Sequence, residues 1–295
     1  MPIRRSFLLS LPILFGLVTT ALPVRGQTLV PHTIQLDLQK LERQGLGLAQ
    51  EATQLAQFQQ YELAVPRAEL ATQLAPRNFQ VWALLGELYL RTNKLDEAVT
   101  ALKQAQSLDS KSAPVLFALG SVHLQKKQYS TAINYLKAGL QIKPNVPGAL
   151  FDLGNAYLIQ GKYGDAIAQY EKAVAQEKEF WPAINNIGLI KYETGDVDEA
   201  LKRWRSAVTI DAKAAEPLLA IAVALYVKGD VEQGLKMGEA AIKIDSRYSD
   251  LKFLKENLWG ERLLKDTKKF LETPRMRATI AQAQERADQR QPAPQ

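Results

Sequence analysis

The 295-residue sequence predicts an all-α solenoid of antiparallel helix pairs, and three regularities carry that prediction. Small residues return every 34 positions in three columns. Apolar residues keep helical spacing around them. Turn residues separate the two halves of four of the six units at a fixed place. Two helices of about 14 residues cannot bury their apolar faces alone, so such units must stack on one another.

The first column of small residues runs Ala52, Gly86, Gly120, Gly154, Gly188 and Ala222. The second runs Ala64, Ala98, Ala132, Ala166, Ala200 and Gly234, and the third Ala71, Ala105, Gly139, Ala173, Ala207 and Ala241. A glycine inside a helix costs roughly 1 kcal/mol relative to alanine, so its regular return implies close approach of another element. The expected arrangement sets the Gly154-type position against the alanine column of the partner helix, with bulky neighbours filling the grooves on either side. Those neighbours keep step. Leu48, Trp82, Leu116, Leu150, Ile184 and Leu218 lie four before the first column, and Leu85, Leu119, Leu153, Ile187 and Ile221 lie one before it. Tyr89, His123 and Tyr157 lie three after it, on the same helical stripe. Glu51 and Lys191 depart from the pattern.

The elements follow in order. Residues 27–44 form an entry segment whose helix begins near Thr33. Six units occupy 45–78, 79–112, 113–146, 147–180, 181–214 and 215–248. Asn93-Lys94, Gly161-Lys162, Gly195-Asp196 and Gly229-Asp230 divide their units, and Pro114, Pro147, Pro182 and Pro217 open first helices, where a missing N–H does no harm. Pro66 is expected to delay or kink its helix. Residues 249–273 lose the small columns but keep a stripe of Leu251, Leu254, Leu258 and Leu263, which predicts one capping helix. Residues 274–295, rich in Gln, Arg, Ala and Pro, have little to bury and are expected to form a disordered tail.

A 34-residue helix–turn–helix carrying Trp or Leu, then Leu-Gly, then Tyr, resembles the tetratricopeptide repeat. The resemblance spans 45–248. It implies a right-handed superhelix in which the first helix of each unit lines a concave groove. By family offset the groove would present Phe117, Phe151 and Asn185 at one level, Glu87 and Asn155 at the next, and Leu124, Leu158 and Tyr192 at a third. So apolar a face suggests a covered surface. Asn155 and Asn186 resemble peptide-gripping asparagines of the family, whose amides can both donate to and accept from a peptide backbone. Solvated polarity or a hydrogen bond between units is the competing reading for both. The family's carboxylate-holding variant wants basic residues where Phe151, Glu216 and Ala220 stand, which speaks against a chaperone-tail clamp.

Composition narrows the chemistry. The chain has no cysteine, excluding disulfides and thiolate sites, and only two histidines, His32 and His123. No phosphate-cradling loop, metal motif or nucleophile–base set is apparent. Asp152 and Asp165 fit a surface or capping role better than an acid–base pair. Catalysis, cofactors and bound metals are therefore not expected. Residues 27–259 carry 26 basic and 26 acidic side chains, so the body offers no basic face for nucleic acid.

At the front, Arg4 and Arg5 precede an apolar run from Phe7 to Leu22, the layout of an export signal over residues 1–26. An uncleaved membrane anchor is the alternative. The basic runs Lys202–Arg205 and Lys265–Lys269 read as solvated helix faces. Membrane contact is expected only through the N-terminal segment or the basic C-terminal region. The entry segment, FWPAINNIGLIKYETGD and DLKFLKENLWGERLL also resemble exported cyanobacterial tetratricopeptide proteins of the periplasm or thylakoid lumen. The resulting expectation is an exported, non-catalytic scaffold. It would bind a client protein or peptide, with assembly of a membrane complex as its task. A self-association module of the cell envelope is the alternative.

Overall fold

A computed structural model describes residues 37–290 of the chain. The export signal expected at 1–26, His32 and the start of the entry helix lie outside the described residues, as do 291–295.

The compact body from Leu38 onward is built of helices alone among the described residues. Six antiparallel pairs come first. They are α1 (Leu38–Gln57) with α2 (Tyr61–Leu74), α3 (Phe79–Arg91) with α4 (Leu95–Leu108), and α5 (Ala113–Gln125) with α6 (Tyr129–Ile142). Then come α7 (Pro147–Ile159) with α8 (Tyr163–Gln176), α9 (Trp181–Glu193) with α10 (Val197–Ile210), and α11 (Ala215–Val227) with α12 (Val231–Ile244). Each second helix also packs on the first helix of the next unit, and successive first helices α1, α3, α5 and α7 touch one another along one side. This is the all-α solenoid the period predicts.

The turn between paired helices repeats the same backbone conformation six times. Gln59, Asn93, Lys127, Gly161, Gly195 and Gly229 all have positive φ, between 58° and 93°. Sequence punctuation marks only four of the six, because glutamine and lysine at 59 and 127 accept a left-handed conformation that side chains disfavour. Pro66 neither delays α2 nor ends it. The helix begins five residues earlier at Tyr61 and runs on to Leu74.

The small columns behave differently from expectation. A Cβ on Gly86 would meet Leu102, on Gly120 Leu136, on Gly154 Tyr170, and on Gly188 Trp204. The first column therefore faces a large buried side chain of the partner helix, not its alanine column. Leu102, Leu136, Tyr170 and Trp204 are each fully buried as a result. In the third column, Gly139 makes the same allowance for Phe117.

The C-terminal region departs most from the sequence reading. Instead of one capping helix, a 3-10 turn (Ser246–Ser249) leads into α13 (Leu251–Glu256), a tight turn, α14 (Glu261–Leu271) and α15 (Pro274–Arg290). The turn is set by Leu258, whose φ is +67°. The disordered tail expected from residue 274 is replaced over 274–290 by α15, which packs on α12. Met276 and Thr279 are buried there, and a Cβ on Gly238 would lie 2.5 Å from Phe270 and 3.2 Å from the Met276 sulfur. One apolar anchor, Met276, with Thr279 buried a turn further on, is enough once a neighbouring helix offers a hole. Arg275 adds hydrogen bonds to Glu239 (Nε to Oε1, 2.5 Å) and Glu232 (2.7 Å).

Candidate functional site

The first helices supply the floor of a groove. Along it runs a cavity of about 400 Å³ lined by α5, α7, α9 and α11, with the α13–α14 turn as its end wall. A second hollow of about 1140 Å³ continues it past Leu124, Leu158 and Ile159 toward Lys127, Lys252 and Lys255. α14 lies against α9 and α11, so the cap covers that end of the first-helix face.

Each side chain expected in the groove has a definite place. Leu124 and Phe151 line the cavity and Leu158 the adjoining hollow, all three half-buried. Phe151 stacks edge-on against Phe180, with ring centroids 5.3 Å apart. Phe117 turns instead against Gly139. Glu87 is exposed on α3, away from both hollows. Tyr192 is not a groove residue. It is fully buried beneath α14, donates its hydroxyl to Asp266 Oδ2 (2.8 Å) and carries the Arg262 guanidinium over its ring.

The asparagines form a network. Asn155 Oδ1 accepts from the Tyr170 hydroxyl (2.7 Å) and from Asn186 Nδ2 (3.0 Å). Asn186 Oδ1 accepts from Asn185 Nδ2 (3.2 Å). The bond between units that competed with peptide gripping is thus present, and Asn186 and Asn185 are 6% and 1% exposed. The oxygen of Asn155 is spent, and only its Nδ2 remains to donate to a ligand. Asn185 Oδ1 is buried with no partner.

Two carboxyl groups line the cavity, Asp152, expected on the surface or at a cap, and Glu216, noted only as a non-basic residue at a groove offset. Asp152 Oδ2 accepts from the Ser121 hydroxyl at 2.5 Å. Burial pushes its pKa above the ordinary carboxylate value, and the hydroxyl opposes that shift. Glu216 sits in the otherwise apolar helix α11, beside Asn185, and accepts from the Trp259 indole N–H at 2.9 Å. Burial pushes it up to about 7. A lone acid in the run AEPLLAIAVALYV was the available signal for it. Nothing local could have placed Trp259 there, since its partner lies 43 residues away. His123 is buried in α5, stacked on Tyr135 with Nδ1 2.6 Å from Gln128 Oε1, as its packing column implied. No group of side chains suited to hold a metal occurs among the described residues.

Family models described as tetratricopeptide repeat match residues 55–120, 123–187 and 185–249. The chain belongs to the tetratricopeptide repeat family. Solved structures similar to this tetratricopeptide array include PilF of Pseudomonas aeruginosa, with 17% identity over 74% of this chain and 98% of the other and a TM-score of 0.63. PilW, described as a widely conserved type IV pilus biogenesis factor, shares 20% identity over 75% of this chain and 97% of its own, with a TM-score of 0.62. YrrB, described as having an unusual peptide-binding site, shares 20% identity over 68% and 97% of the two chains, with a TM-score of 0.50. No curated protein matches the sequence. At these identities the likeness is one of fold. A protein-interaction scaffold is what this tetratricopeptide fold offers, and no helix among its described residues is long and apolar enough to cross a membrane.

Proposed function

We propose that this protein is a non-catalytic scaffold that binds an extended segment of a client protein in the groove floored by α5 and α7. The observation that carries the reading is the half-open trough itself. It joins apolar walls at Leu124, Phe151 and Leu158 to the free amide donor of Asn155, beside a cap that closes one end. An extended chain laid there would bury side chains against the leucines and offer a carbonyl to Asn155. Asn186 and Tyr192, already engaged within the protein, support the trough without touching the ligand.

Selection of displayed peptides against the wild type and a Leu124→Glu/Leu158→Glu variant tests this. Both leucines are half-buried and open to the hollows, so the fold should survive, as a thermal melt would verify. Peptides that bind the wild type should lose at least tenfold in affinity for the variant. Equal affinity for both proteins rejects the groove.

The task we assign is help in assembling a membrane-associated complex outside the cytoplasm. The N-terminal sequence, with its arginines ahead of an apolar run, supports export to a periplasm or thylakoid lumen. The fold likeness to a pilus biogenesis factor is consistent with assembly work. Cell fractionation of the full chain with a C-terminal reporter active only outside the cytoplasm checks the location.

A further inference from the structure

The cavity beside the cap has acidic walls and no basic one. Its titratable walls are Asp152 from α7, Glu216 from α11 and Glu256 at the end of α13, and no Lys, Arg or His lines it. Asn155 contributes an oxygen that already accepts twice. Asn185, 1% exposed, also lines the cavity, and its Oδ1 has no partner at all. A buried oxygen left without a donor is destabilising, while the Nδ2 of the same amide donates to Asn186 and faces Glu216. Acceptors gathered without a cation are destabilised by one another. They become favourable together when a group with several N–H bonds enters.

We infer that this cavity is the specificity pocket of the groove, and that it takes the cationic side chain, guanidinium or ammonium, of a basic residue in the client segment. The inference rests on the proposed groove reading and deepens it. The geometry suits a long side chain. Leu124, Phe151 and Ile159 wall its apolar stem, while Asp152, Glu216 and Glu256 are the acidic groups that meet its head. Basic preference belongs to this cavity alone, because the adjoining hollow carries Lys127, Lys252 and Lys255.

Proton linkage gives a second handle. Asp152 faces Ser121 and Tyr170, and Glu216 faces Asn185, Trp259 and Tyr248, with no cation opposing either carboxyl. Burial favours the neutral forms of both, and a cation paired with Glu216 must displace its proton when the pH is near or below about 7. Affinity for a basic ligand should therefore fall as the pH drops from 7.5 to 5.5.

Fluorescein-labelled heptapeptides Gly-Ser-Leu-X-Leu-Ser-Gly, with X as Arg, Lys, Gln or Glu, test the inference by fluorescence anisotropy on the full-length protein. The Arg and Lys peptides should bind at least tenfold tighter than the Gln peptide, and the Glu peptide weaker still. Asp152→Asn, which keeps an oxygen for Ser121, should reduce the Arg-to-Gln ratio to within about twofold. The exposed Glu256→Gln variant should lower it as well, with no risk to folding. In parallel, butylguanidinium and butyramide are titrated while side-chain amide NMR signals of Asn155, Asn185 and Asn257 are followed. Saturable shifts with the cation alone support the pocket. If peptides bind without regard to X, the groove stands and the cationic pocket is refuted. If butylguanidinium shifts these amides but no peptide binds, the pocket stands and the groove reading falls. If neither ligand acts, both fall.

Discussion

A Cβ placed on Gly154 would lie 2.5 Å from Cε1 of Tyr170, and that single distance explains why the helix tolerates a poor helix former. The close approach admits a whole phenol ring between paired helices, and its burial outweighs the roughly 1 kcal/mol the glycine costs. Gly154→Ala should therefore destabilise the protein by about 1–3 kcal/mol through overpacking, the reverse of its propensity effect. A melting temperature at or above the wild type would contradict it. The 34-residue spacing showed that something small was required at this position. It did not show what filled the space, because the opposing Leu102, Leu136, Tyr170 and Trp204 share no side-chain type beyond being large. At Lys127 the logic is inverted. Its φ of 58° suits glycine, and Lys127→Gly should raise stability by about 0.5–1 kcal/mol in chemical denaturation, once the entropy glycine costs is offset by relief of strain.

Helix α11 is the element on which the C-terminal half is organised. It is buried without a break from Ala215 to Leu225, by α12 on one side and by α14 on another. Glu216 at its first turn holds the α13–α14 turn through Trp259, which is 3% exposed. Trp259→Ala should cost about 3–5 kcal/mol, and hydrogen exchange should show α14 losing protection before α7. The raised pKa of Glu216 also has a sign. Between the ordinary carboxylate value near 4.5 and about 7 the folded chain holds a proton that the unfolded chain has released. Stability from this group is full below pH 4.5 and is lost as the pH rises to about 7, an effect of about 3 kcal/mol at most. Glu216→Gln keeps an acceptor for Trp259 and should flatten the dependence of melting temperature on pH across that window. An unchanged slope would mean another group carries it. Helix limits within the units were readable from capping and period. The cap was not, since Leu251, Leu254 and Leu258 look like one stripe until Leu258 takes positive φ and turns the chain.

At the scale of the whole described body, a stack of pairs has two ends, and the C-terminal end is closed by the cap folding back over the first helices. Truncation after Ser249 would uncover α11, Tyr192 and the groove end of α9. Such a chain should show concentration-dependent light scattering where the full chain does not. If it stays monomeric and melts as before, the cap is not what shields that face. Asn155 and Phe151 were legible as groove residues because family offsets fix which positions face inward. Asn185 shares the offset of Phe151 and Tyr192 that of Leu158, yet they and Asn186 are withdrawn from solvent because α14 or a neighbouring unit covers them. The sequence alone determined the helix pairs, their register and the positions that had to be small, because each depends on contacts repeated at one short, constant separation along the chain. Only the tertiary structure decided which large side chain fills each gap, where the groove is covered, and that Asp152, Asn185, Glu216 and Trp259 share one cavity. Those four come from α7, α9, α11 and the cap turn, and packing over such separations follows no period that a sequence can display.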